Sequence, residues 1–509
     1  MVVVTALALL VAGCTSGKEA REDRSPSTTG GDRSSAAAGA GSGATVRLGV
    51  PTEPASLDPF DPRSRTPAGE ALLGEILPQL FRIDPSGRVE GYLANDATVR
   101  EIPGPVGASF SLRRGARWSD GTPITVEDLR FTLQTVLADA WPGARAGYDR
   151  LTAVEGEGQS VVLRFDAPFP GWRRLFSGED FVLPAHRLAG KDVTAEWKGG
   201  PDVAGGPFRL GRVTPGLEVV LERNDAWWGG KAKPAAIRVL VVPDVRTMEQ
   251  LLARGELDVA WPPAAPNRTG RFRGVPGAEV SVAEPGGAVV SLVANTESVP
   301  AQRRAALLGL PDRDRFVDVL LQGEATKATS LSGPDRGSEA VWPTVKQNLG
   351  AGGGLGEDVV ATVVAREEDP MGPLLGRVLE SFARVPGATL ELKFADTTKV
   401  EGSWLPEGRF DLALVHQVAW PQPCWRCWFG DASVGRGNVA RVKGFDDLAA
   451  AAERGDAAGT LEARLQADAV LLPLWRPKAV LAARGVKGVT ANSWSIGPFW
   501  KAEGWTLPE

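Results

Sequence analysis

From Val46 onward the apolar positions change period along the chain, and each change predicts an element. Val46-Arg47-Leu48-Gly49-Val50 alternates and predicts a strand stopped by Pro51, and Phe110-Ser111-Leu112-Arg113 alternates again ahead of a tight Ser119-Asp120-Gly121-Thr122-Pro123 turn. Thr125 with Asp128 three positions on is a capping-box variant, and Val126, Leu129, Leu133 and Val136 recur at helical spacing behind it. Val161–Phe165 and Val219–Glu222 predict further strands. Thr247-Met248-Glu249-Gln250 is a full capping box for a helix that Gly255 ends, with a strand returning over Leu257–Ala260. The second half has a βαβ rhythm: a strand over Val359–Ala365, a helix over Gly372–Arg384, a Pro386-Gly387 break, and strands over Thr389–Phe394 and Asp411–Val415. Leu448–Val470 holds two helical stretches parted by Gly455 and Gly459. Gly350–Gly356 is Gly-rich but matches neither dinucleotide nor phosphate-loop spacing, and reads as a loop.

The N-terminal pattern is different. Val2–Ala12 is an uncharged apolar run closed by Val11-Ala12-Gly13-Cys14. As a helix it rises only ~16 Å, about half of a bilayer core, so it predicts an export signal (1–14) rather than a spanning anchor. Small residues just before a Cys resemble a bacterial lipoprotein box, which makes Cys14 the expected lipidation site. No Lys or Arg precedes the run, which leads us to expect a start codon upstream of Met1. The alternative is a buried N-terminal strand. Thr15–Ala44 contains no large apolar residue, cannot bury surface against chain entropy, and is expected to be a flexible tether (15–44) of ~30 Å mean span.

Composition narrows the function classes. Gly and Pro number 61 and 39, about a fifth of 509 residues, below the level of a structureless chain, while 43% hydrophobic content is ordinary for a folded one. A net charge of −5 with no basic block argues against a nucleic-acid partner. Only 3 Cys and 2 His argue against a multinuclear metal enzyme or a disulfide-stapled scaffold.

Ser109–Leu129, with its Arg117-Trp118-Ser119-Asp120-Gly121-Thr122-Pro123 centre, resembles the signature of the family 5 solute-binding proteins, the extracytoplasmic receptors of ABC importers for peptides, nickel and some sugars. Pro54–Pro59, Gly205–Leu210 with Leu221–Lys231, and Leu320–Thr326 resemble three further blocks in the family's order. Packing roles are expected for Trp118, Asp120, Trp227 and Trp228. The resemblance implies an α/β two-lobed periplasmic-binding-protein clamshell (type II, three-domain variant). Lobe one comprises 45–75, 205–283 and 477–509, the accessory domain 76–204, and lobe two 284–476. It further implies a non-enzymatic monomer without cofactor, lipid-anchored on the outer face of the cell membrane. Such a protein traps a small solute between its lobes and hands it to an ABC permease.

The pocket segment departs from that pattern. Peptide-binding members carry an Asp that pairs with the ligand's α-ammonium group, within an Asp-aromatic-x-acid-Pro motif. Here the text is His416-Gln417-Val418-Ala419-Trp420-Pro421-Gln422-Pro423, with Ala419 at the Asp position and Gln422 at the second acid. A buried ammonium without a paired charge costs several kcal/mol, so a free peptide N-terminus is not expected to be held in the usual way; Asp431 is an alternative partner. His416, Gln417 and the indoles of Trp420, Trp425 and Trp428 suit sugars, aromatic molecules or cations, while the competing reading for the indoles is core. Arg63, Ser64 and Arg65 are the expected opposite wall and would favour a carboxylate; exposed loop arginines are the alternative. Asn295 is a candidate cleft residue or a strand-end cap.

Cys424 and Cys427 have redox-motif spacing, but Pro-rich surroundings and an oxidising compartment favour a disulfide, and His416 with the two Cys gives only three metal ligands. Competing function classes are a ligand-sensing surface lipoprotein without a transport role and an exported hydrolase. Against the hydrolase, no nucleophile elbow or metalloprotease helix is present, and His186 and His416 fall in different expected domains.

Overall fold

The computed structural model describes residues 44–508 except 55, 65, 103–106, 139–146, 179, 312, 332–358, 367–387, 406, 419–424, 426–428, 430–441, 443–444, 454–457 and 495–496. Two mixed sheets carry the architecture. In the first, the strand order is Ala278–Ala283, Ala479–Arg484, Val259–Ala260, Thr45–Val50, Ala236–Val241, Glu218–Arg223, Phe208–Thr214. Thr45–Val50 lies parallel to both of its neighbours, and the other pairings are antiparallel. The second sheet runs Ala325–Lys327, Leu471–Pro477, Ala288–Ala294, Leu412–Val418, Val359–Arg366, Ala388–Ala395, with Val359–Arg366 parallel to both neighbours. The chain crosses from the first sheet to the second between Ala283 and Ala288 and returns between Pro477 and Ala479.

Side-chain alternation explains why the second sheet is buried on both faces. Val289, Val293, Val364 and Ala413 join one core, while Val290, Leu292, Val363, Leu412 and Leu414 join another. An antiparallel unit of Arg100–Ile102, Gly107–Ser111, Ser160–Phe165 and Leu151–Glu155 lies within 76–204. It is not an island: Phe110, Trp118, Trp172 and Phe176 share one continuous core with Val46, Leu48, Ile237 and Val239 of the first sheet.

Local signals account for several helix ends among the described residues. The Asp128 carboxylate accepts from the Thr125 amide at 2.8 Å, closing the box ahead of Val126–Ala138. The Val245–Arg254 helix ends at Gly255 in the left-handed region (φ 69°), but it starts two residues before the expected Thr247. Asp244 is the cap: its carboxylate accepts from the Thr247 amide (2.8 Å) and hydroxyl (3.0 Å), so the stronger acid displaces Thr247 from that role. Gly205 and Gly206 both donate to the Ile76 carbonyl, and a Cβ at Gly206 would sit 2.2 Å from the Glu75 carbonyl oxygen, which is why the chain re-enters the first sheet through two glycines. Leu471–Pro477 is a strand despite Pro473, because the register slips there between Val290 and Ser291 of its partner. The expected Gly372–Arg384 helix, the Gly350–Gly356 loop and the segment 1–43 lie outside the described residues.

Candidate functional site

In open α/β sheets, ligand crevices form beyond the carboxyl ends of parallel strands. The first sheet ends its parallel trio at Val50, Val241 and Ala260, and the second at Arg366, Ala395 and Val418. These two edges meet. The turn Pro62–Ser64, reached from Val50, touches Thr397–Lys399, reached directly from Ala395. Ala264, just beyond Ala260, packs against the second sheet's core around Leu292 and Trp475. A crevice between two sheets, walled by their carboxyl edges, is therefore the candidate site.

On the first wall Asp58 is buried and accepts from the Phe60 amide at 2.9 Å, making an Asx turn. Asp61 accepts from Nε of Arg63 at 2.9 Å and from its Nη2 at 2.5 Å. Burial works against the Asp61 charge, but hydrogen bonds from Arg63 and Ser56 outweigh it and hold the carboxyl below its ordinary range. The Arg63 side chain remains 57% exposed. Ser64 is buried and its hydroxyl donates to the Asp61 carbonyl at 2.8 Å, so it braces the turn. Thr66 then caps the Pro67–Ile76 helix through the Gly69 amide.

On the second wall Asp396 accepts from the Lys399 amide at 2.8 Å, and the Lys399 ammonium lies 5.2 Å from the Trp404 ring centre. The Pro62–Ser64 turn that carries Arg63 meets the Thr397–Lys399 segment that Asp396 precedes. Behind the crevice, beside the return crossover, the Glu324 carboxylate accepts from Arg268 Nε (3.0 Å), the Thr269 amide (2.9 Å) and the Thr269 hydroxyl (3.0 Å). Arg268 also donates to the Lys478 carbonyl at 2.5 Å, and both members of this ion pair are only 5–6% exposed.

His416 lies two residues from the carboxyl end of its strand, half-buried, opposite Val290 with Trp475 on the far side of Val290. It shares the face of Leu412 and Leu414. Gln417 pairs through its backbone with Val289. Asn295 is 4% exposed and acts as a cap: its amide nitrogen donates to the Gly408 and Phe410 carbonyls (3.2 and 3.0 Å), and its oxygen accepts from the Glu297 and Ser298 amides. Replacing Asn295 by Ala strands those groups and is expected to cost about 1–3 kcal/mol, read as a lower urea midpoint. Trp425 is 1% exposed and belongs to the second sheet's core with Phe429 and Phe445. Cys14, Arg65, Ala419, Trp420, Gln422, Cys424, Cys427, Trp428 and Asp431 lie outside the described residues.

Sequence reasoning did not single out Asp61, Asp396 or the Arg268–Glu324 pair. The Asp61-Pro62-Arg63 spacing and an Asp directly after an alternating strand were the available signals for the first two. Among the described residues no group of three or more His, Cys, Asp or Glu could hold a metal ion, and no helix is long and apolar enough to cross a membrane.

A family model described as "Bacterial extracellular solute-binding proteins, family 5 Middle" matches residues 108–424. A probable monoacyl phosphatidylinositol tetramannoside-binding protein, LpqW, of Mycobacterium tuberculosis is 26% identical over 277 residues, 50% of this chain and 42% of LpqW. The oligopeptide-binding protein OppA of the same organism is 29% identical over 191 residues, 36% of this chain and 32% of OppA. The chain thus aligns with less than half the length of these curated relatives. Among solved structures, the oligopeptide-binding protein AppA from Bacillus subtilis, in complex with a nonapeptide, superposes with a TM-score of 0.77 at 17% identity, covering 92% of this chain and 99% of AppA. The periplasmic EDTA-binding protein EppA gives 0.75 at 18% identity, covering 92% and 97%. The two-lobed α/β fold is shared with both.

Proposed function

The chain belongs to the family 5 bacterial extracellular solute-binding proteins, and on that premise we propose that it captures a small solute between its two sheets and delivers it to an ABC permease in the membrane. The facing carboxyl edges carry this reading: a crevice between two separately cored bodies joined by two crossovers can open and shut around a ligand. Its place is extracytoplasmic, held to the membrane through lipid on Cys14, and it performs no chemistry on what it carries.

The solute wall is assigned to His416, Gln417, Ala419 and Trp420, with Arg63, Ser64 and Arg65 as the opposite lip. With no acid at Ala419, the solute needs no buried ammonium group. Indole faces and the kinship with a protein named for a mannoside support a solute with a sugar or aromatic face; the kinship with OppA keeps peptide-like molecules in the test. Native mass spectrometry of the purified full chain identifies whatever co-purifies, and a thermal-shift panel of mannosides, free peptides and N-acetylated peptides follows. A ligand at about 100 times its Kd adds about 2.7 kcal/mol to the native state. Stabilisation by free di- to pentapeptides that acetylation abolishes would overturn the reading of Ala419. Turnover of a panel member at enzyme-like concentrations would overturn the binding role.

A further inference from the structure

The chain passes between the sheets twice, and each passage is gripped from both sides. In the outgoing one, Glu284-Pro285-Gly286-Gly287, the Ser493 hydroxyl donates to the Glu284 carbonyl at 2.6 Å. Ser493 is fastened to the first sheet's side, where the Ala491 amide donates to Ser281 Oγ (2.9 Å) and the Asn492 side chain to the Ile83 carbonyl (2.8 Å). Two residues on, the Gly286 carbonyl accepts from Arg476 Nη1 at 2.9 Å. Arg476 is a buried residue of the second sheet, and it also donates to the Ser330 carbonyl at 2.7 Å. Peptide groups are planar, so only the torsions between the two held carbonyls can bend. The proline ring locks its own φ, which leaves ψ of Pro285 and both torsions of Gly286. A Cβ at Gly286 would lie 2.5 Å from Ser493 Oγ and 2.7 Å from Trp494 Cδ1, so no larger residue fits between the two grips.

The return passage is shorter still. The Lys478 amide donates at 3.0 Å to the carbonyl of Glu324, which precedes the second sheet's Ala325–Lys327 strand. The Lys478 carbonyl accepts from Arg268 Nη2 at 2.5 Å, on a helix whose Phe272 packs with Ala260 and Ala482 of the first sheet. Only φ and ψ of Lys478 lie between those anchors. The Lys478 ammonium is 3.3 Å from the Glu284 carboxylate, so the two passages run side by side. The buried Arg268–Glu324 pair sits at this same place, where a rotation about the passages displaces atoms least.

We propose that rotation of the two lobes is confined to two bending points, Pro285–Gly286 and Lys478, and that Ser493 and Arg476 are positioning residues that keep the first of them short. This rests on the two-lobed binding role above and names the residues that set how far the crevice opens. The line through both points is the rotation axis. Backbone freedom at Lys478 sets the range of opening, and its side chain does not.

The test is the distribution of distances between spin labels on the full chain, read by double electron–electron resonance. Labels go on ketone-bearing residues placed at Leu217, on the first sheet's side, and Val319, on the second's; both positions are more than half exposed, and the native cysteines stay untouched. Lys478→Gly frees the backbone at the return passage and is expected to widen the distribution. Lys478→Ala loses the same side chain without that freedom and is expected to leave the width unchanged. Ser493→Ala releases the Glu284 carbonyl, lengthens the outgoing bending point and is expected to widen it too. Unchanged circular dichroism verifies folding. Equal widths for Lys478→Gly and Lys478→Ala, or a Ser493→Ala distribution as narrow as that of the unaltered chain, would overturn the hinge assignment. So would equal widening between labels at Leu217 and the exposed Arg246, both on the first sheet's side, because that is local loosening rather than lobe rotation. No solute enters this measurement. A chain that binds nothing in the solute panel yet shows this pattern loses the import role and keeps the hinge.

Discussion

Changing Glu324 to Ala is expected to destabilise the protein by about 3–5 kcal/mol, the usual consequence of removing one member of a buried ion pair. Arg268 would be left charged in a site where burial already drives its pKa down against the pull of Glu324. The Thr269 amide and hydroxyl would lose their acceptor as well. Calorimetry should show a lower Tm for the variant. Replacing both Arg268 and Glu324 by apolar residues of similar volume should recover much of the loss, because no buried charge then remains unpaired. A single substitution costing under about 1 kcal/mol, the range of exposed pairs, would show that water reaches this contact.

The second large effect concerns pH. Glu75, near the end of the Pro67–Ile76 helix, is buried with Arg82 at 3.7 Å, while the Arg82 guanidinium carbon lies 3.6 Å from the centre of the Tyr92 ring. Burial pushes the Glu75 carboxyl up to about 8; Arg82 opposes this and Glu503 adds to it. A carboxyl whose folded pKa exceeds its unfolded value binds its proton more tightly in the native state, so native stability falls as pH rises between the two values. The window runs from an unfolded value of 4.5 to about 8. At about 1.4 kcal/mol per pKa unit the whole fall is on the order of 5 kcal/mol, complete above pH 8 and absent below pH 4. Glu75→Gln removes the titration. Its Tm should match the unaltered chain near pH 5 and exceed it at pH 9. Parallel Tm curves for the two proteins across that range would sink the assignment.

Much of the fold was legible because local chemistry and period agreed. The Thr125–Asp128 box, the Gly255 stop and the alternating Val359–Ala365 and Thr389–Phe394 segments all form where they were expected. Asp244 shows the limit: two cap signals three residues apart compete, and the acid wins through charge at a helix terminus. Leu471–Pro477 escaped because Pro473 argues locally against a strand, and only a bulge against Ala288–Ala294 accommodates it. The site was less legible. Arg63 was visible as a cation near the mouth, but the Thr397–Lys399 segment that its turn meets comes from the other sheet, and only the assembled topology brings the two carboxyl edges together. Asn295 offered two roles to the reader of the sequence. Its four backbone partners use the amide for capping.

The placement of Ala479–Arg484 between Ala278–Ala283 and Val259–Ala260 has a consequence for biogenesis. The first sheet begins with the first described strand and is completed by the last, whereas every strand of the second sheet lies between them. The second sheet also receives a late strand, Leu471–Pro477, just before Ala479–Arg484 pairs with the Ala278–Ala283 edge of the first sheet. Closing that sheet requires contacts of very large sequence separation, the slow kind. Until that final segment docks, the first sheet carries an unpaired strand edge open to proteolysis and aggregation.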